Sequence, residues 1–165
     1  MVEEFNHLVA QVLRMEIPTH CPACGARWID SITCESHFHQ LLFWEVEDPS
    51  RGSVHHLLVL SYHLQHPHLY SPETLQAGMQ MLAQFIEEGV SPKQMRQRLQ
   101  SSVDSGHRTH PITARPGHTG AYAYPIIWKM TAADVVSAGA DAYISSVEGW
   151  ASSVLAALRE SGNLP

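Results

Sequence analysis

Residues 54–67 read VHHLLVLSYHLQHP, and this stretch decides the fold class. It is apolar nearly all round apart from its histidines, too long for a typical strand, and Pro67 stops it. A helix with no polar face belongs in the middle of a bundle. Working outward, the upstream segment CESHFHQLLFWEVE, from Cys34, again carries helical spacing, and the loop between the two includes Asp48, Pro49, Ser50, Arg51, Gly52 and Ser53. Folding the chain back near Ser50 makes Cys34–Val46 and Val54–His66 an antiparallel helical hairpin. Each helix rises about 1.5 Å per residue, so Cys34 comes level with His66 and Glu45 with His55. Cys34, Phe38, Leu41 and Glu45 share one stripe, as do His55, Val59, Tyr62 and His66.

The remaining elements repeat the helical signal. Phe5, Leu8, Val9, Val12 and Leu13 form a stripe over 3–15 that Pro18 ends. Ser71 before Pro72 reads as an N-cap, with Leu75, Met79, Leu82 and Ile86 as the stripe and Gly89 past the end. Ser91 and Gln94 open a further helix with a capping-box pattern, running to about Ser101. Thr131 to Asp134 resembles another start, and the last helix is expected over about 141–159 on Ile144, Val147, Trp150, Val154 and Leu158. Glycine, proline, histidine and threonine dominate residues 104–125, a long loop. Strand-like alternation is almost absent, so the expectation is all-α: a single helical domain over 1–165.

At 165 residues the chain can bury a core without disulfides, and three cysteines, two of them in Cys-x-x-Cys, do not suit a disulfide framework. A reducing, cytoplasmic compartment fits, since the acidic first 18 residues lack a secretory pattern and no apolar run approaches the ~18 residues of a membrane span. The formal charge of −6 argues against phosphate-backbone binding and hence against a nucleic-acid partner. Twelve histidines outnumber the ten Lys and Arg together, which directs attention to metal chemistry.

Cys21, Cys24 and Gly25 form a zinc-knuckle turn within residues 17–34, where a tight turn points both sulfurs the same way and backbone amides can bond to the thiolates. A redox pair would want a βαβ surround, which the pattern lacks. Cys34 supplies a third sulfur at a helix start, and the hairpin register selects His66 as fourth ligand, with His63 as substitute. His20, His37 and His39 are nearer in sequence and stay open as ligands. Glu45 and His55 read either as a buried ion pair or as the base or ligands of a small metal-dependent, hydrolase-like enzyme, with Tyr62 beside them. His107, Arg108, His110, Arg115 and His118 read as loop residues or a lid over an anionic ligand. Lys93, Arg96 and Arg98 read as a wet helix face, and Trp150 as core.

CPACG at 21–25, Cys34 with Glu45, VHHLLVLSYHLQHP at 54–67, TAADV at 131–135 and WASSV at 150–154 together resemble a bacterial family known only as a domain of unknown function. The resemblance implies a helical protein with a metal-type motif and adds weight to Cys21, Cys24, Cys34, Glu45, His55 and His66, without an activity. That family usually carries an acidic residue just after the valine of the central stretch, where Leu60 stands here; if that acid belongs to a site, this chain lacks part of it. Two readings follow. One is a zinc-stabilised binding or scaffold module with a small molecule or protein as partner; the other is the small metal-dependent enzyme.

Overall fold

The computed structural model describes residues 19–104, the last four by backbone alone, and residues 112–165. Six helices carry its regular structure: α1 Cys34–Glu47, α2 His55–Gln65, α3 Pro72–Glu87, α4 Pro92–Asp104, α5 Ala132–Ala138 and α6 Tyr143–Glu160. Among the described residues there are no strands, only isolated bridges, and the molecule is all-α. The helix expected over 3–15 lies outside the described residues, as do His107, Arg108 and His110.

α2 occupies the middle, as its all-round apolar sequence requires. Leu57, Leu58, Leu60, Ser61, Tyr62, Leu64 and Gln65 are all buried, and α2 packs on α6 and α3. α6 answers with Val147, Trp150, Ala151, Val154 and Leu158, none more than 1% exposed. Each large apolar side chain so buried contributes about 1.5–3 kcal/mol. α5 closes the bundle by packing on both α1 and α6.

The helix starts follow their local chemistry. Ser71 accepts the Thr74 N–H above Pro72 at the start of α3, and Ser91 exchanges hydrogen bonds with Gln94 at the start of α4. The Thr131 N–H and hydroxyl both donate to the Asp134 carboxylate at the start of α5. Gly89, just beyond α3, takes a left-handed φ of +64°.

Three details depart from the sequence pattern. Residues 48–53 are not a plain loop: Pro49–Val54 winds into a 3-10 turn. Asp48 Oδ1 nucleates it by accepting both the N–H and the hydroxyl of Ser50, at 3.0 and 2.7 Å. α4 runs to Asp104, and the described residues 112–130 before α5 carry no helix, so the irregular part ends at Met130 rather than 125. In α6 the inward position belongs to Tyr143, not Ile144, which is 39% exposed. The Tyr143 ring meets Trp44 edge-on at 6.2 Å and its hydroxyl reaches Glu45, while Val147, Trp150, Val154 and Leu158 face inward as expected.

α1 and α2 face each other in antiparallel register. Cys34 lies beside His66, the rings of Phe38 and Tyr62 stack at 4.1 Å, and Glu45 meets His55 at 2.6 Å. These are the levels that equal rise per residue on two helices dictates.

Candidate metal centre

Residues 19–33 form two successive reversals that deliver three sulfurs to one point. In the first, Gly25 donates its N–H to the Cys21 carbonyl at 2.9 Å and the Cys21 N–H donates to the Ala26 carbonyl at 2.8 Å. Gly25 sits at φ +75°, a conformation that costs glycine little and other residues more. The Ala26 N–H reaches back to the Cys24 sulfur, as a knuckle turn requires. In the second reversal the Ile32 N–H donates to the Ile29 carbonyl at 2.9 Å, around Asp30 and Ser31. Both central residues are left-handed, at φ +49° and +65°, the pattern of a type I′ hairpin turn. Thr33 then caps α1 through Ser36, so Cys34 opens the helix facing the knuckle.

The fourth group comes from the far end of α2. Helix geometry stops at Gln65, and His66 takes φ −125°, ψ 63° ahead of Pro67. Its Nδ1–H donates to the Tyr62 carbonyl at 2.7 Å, which leaves Nε2 as the lone-pair nitrogen, 3.5 Å from Cys21 Sγ. Cys24 Sγ and Cys34 Sγ are 3.3 Å apart. One donor atom each from Cys21, Cys24, Cys34 and His66 can be chosen so that all lie within 4.8 Å of one another, an arrangement that could hold a metal ion. Tetrahedral zinc with bonds of about 2.3 Å to sulfur and about 2.0–2.1 Å to nitrogen would set the edges at about 3.5–3.8 Å. All four residues are buried, at 5–6% exposure.

Electrostatics in the cluster favour a shared proton. The hydrogen bond from Cys24 holds the Cys34 thiol well below its ordinary value, against the opposing effect of burial; His66, Trp28 and Cys21 add to the lowering. The same bond, followed by burial, pushes Cys24 up. Burial, then the nearby charge of Cys34, pushes Tyr62 up to about 12, so its hydroxyl stays protonated. Its ring packs 4.3 Å from His66 and fixes the imidazole plane.

The other candidates lie elsewhere. His63 donates from Nδ1 to the Val59 carbonyl at 2.8 Å and stacks on Tyr70, outside the cluster, so it does not substitute for His66. His20, bonded to Thr19, is likewise outside, as are His37 and His39. Glu45 and His55 do come together: His55 Nδ1 donates to Glu45 Oε2 at 2.6 Å, and the Tyr143 hydroxyl donates to Oε1 at 2.8 Å. Burial first, then the bond to Glu45, raises the Tyr143 phenol and keeps it a donor. No third metal-ligating side chain joins Glu45 and His55 among the described residues. Tyr143 lies 98 residues from Glu45, and no local pattern in the sequence marks the pairing.

Trp150, fully buried, donates from Nε1 to Gln65 Oε1 at 3.2 Å, and Gln65 Nε2 donates to the Met130 carbonyl at 2.7 Å. That chain ties α6, α2 and the segment before α5 directly behind His66. His118 pairs with Glu73 at 3.0 Å, and Arg115 is exposed.

Residues 19–159 match the family described as a family of unknown function (DUF5946). No curated protein and no solved structure matches the chain.

Proposed function

The chain belongs to this family of unknown function, and from its own residues we propose that it is a zinc-binding helical protein whose metal is structural and whose bundle serves as a binding or scaffold module. The observation that carries the reading is the shell itself: three buried sulfurs and one imidazole whose second nitrogen is already committed to a backbone carbonyl. Three soft donors and one nitrogen at tetrahedral spacing select zinc over the hard cations, which prefer oxygen. A full set of four leaves no open position for water or substrate, which favours a structural role over a catalytic one.

Cys21, Cys24, Cys34 and His66 would hold the ion, joining the 19–33 reversals to the first turn of α1 and the end of α2. Binding free energy there becomes folding free energy. Thiols kept free for a metal suit a reducing cytoplasm. No helix among the described residues is long and apolar enough to cross a membrane. The partner in this reading is a small molecule or a protein, the acidic balance disfavouring nucleic acid.

Metal analysis of the protein purified without added metal tests the reading. One equivalent of zinc is expected, with a lower melting temperature after chelation. Cys24→Ser should reduce zinc content and destabilise the fold. Full zinc occupancy in that variant, or a metal-free protein indifferent to chelator, would overturn the ligand set.

A further inference from the structure

Helices α2, α3 and α4 border an open apolar cavity of about 360 Å³ to which none of the four cluster residues contributes. Its wall is built from Val59 and Leu60 of α2, Met81 and Phe85 of α3, and Met95 of α4. Gly78 of α3 also lines it, where a Cβ would make ordinary contact with the Leu64 and Leu60 side chains at 3.5 and 3.7 Å. The volume lies within the range of small-molecule sites, which join an apolar body to a few placed polar groups.

The polar groups of this cavity are all neutral or cationic. His55, His56, Tyr70, Thr74 and Arg96 line it, and no carboxylate does. Glu45 stands behind His55 instead, holding its Nδ1 at 2.6 Å, so the ring is fixed and Nε2 is left as its available nitrogen. His56 lies edge-on to Phe85 at 4.5 Å, inside the wall. Arg96 is exposed and has no ion-pair partner among the described residues. On a chain of net charge −6 this is a locally basic mouth over an apolar interior.

We propose that this cavity binds a small amphipathic acid, its aliphatic body against Val59, Leu60, Met81, Phe85 and Met95 and its carboxylate at Arg96. Arg96 supplies the charge and a planar fork matched to a carboxylate. An acidic ligand is preferred over a cationic one of equal length because the Arg96 guanidinium attracts a carboxylate and repels an ammonium, and no carboxylate lines the cavity to hold the cation.

The test is a calorimetric titration of the full chain with decanoate, beside decyltrimethylammonium. Saturable one-to-one binding of decanoate is expected, without saturable binding of the cation. Arg96→Gln should weaken decanoate roughly tenfold, the scale of one charge-assisted hydrogen bond. Ala77→Trp should abolish binding, because Ala77 lines the cavity from an exposed helix position and a large ring there can fill it without entering the core. Melting temperatures of both variants near that of the parent would show that the losses are local. Absence of saturable decanoate binding would overturn the proposal. So would equal affinity for the cation, or binding unchanged in Ala77→Trp.

Discussion

The two nitrogens of His66 have different duties, and this difference makes a prediction. Nδ1 is committed to the Tyr62 carbonyl, so only Nε2 can serve an ion beside Cys21. His66→Cys restores a soft donor and should retain close to one equivalent of zinc, while His66→Ala should lose most of it; zinc content per chain decides. Glu45 behaves differently. It receives one donor from α2 and one from α6, so Glu45→Gln should leave zinc content unchanged and lower stability by about 1–2 kcal/mol, read from urea unfolding. His66 was legible in the sequence because two helices of equal rise joined by a short turn must pair residues equidistant from that turn. Tyr143 was not. It reaches Glu45 across 98 residues, and in a helical stripe it competes with the more apolar Ile144.

Among the elements, the helices declared themselves through stripes and caps, and the connections did not. The turn at Asp30 and Ser31 lacks the glycine that usually marks a left-handed pair, so nothing announced that the chain reverses twice before Cys34. The turn at Pro49–Val54 was hidden for the opposite reason: its breaker-rich composition is shared by loops with no hydrogen-bonded repeat. The segment after residue 112 shows how closely one connection is fitted to its neighbours. The Gly120 N–H donates to the Tyr70 carbonyl at 2.7 Å, and a Cβ on Gly120 would come within 2.7 Å of the Pro67 carbonyl oxygen. That neighbour is backbone and cannot rotate away. Gly120→Ala should therefore cost about 1–3 kcal/mol in chemical denaturation, whereas Gly52→Ala, with open space around it, should cost far less.

For the molecule as a whole, the core rests on α2 against α6, and the half-buried His56 and His63 give its stability a pH dependence. Burial, and next the neighbouring His55, hold His56 below its ordinary 6.5; burial first, and His66 among the other causes, lower His63 as well. The unfolded chain then takes up protons that the folded chain refuses. The contribution is fully present above about pH 6.5 and is lost as pH falls through that value toward the folded one. Urea midpoints measured at pH 7 and pH 5.5 should fall more steeply for the parent than for His56→Phe, which keeps an aromatic edge against Phe85. Equal slopes would mean that His56 titrates alike in both states.

The spacing of the donors along the chain also sets an order of loading. Cys21, Cys24 and Cys34 fall within a short span, while His66 follows only after both helices of the hairpin. A ribosome synthesises the thiols first, and closing so short a loop costs little entropy. An ion captured by the nascent chain would thus have three of its four donors in place and one coordination position open to solvent. The His66 imidazole would arrive only when α2 docks, completing the set of four donors.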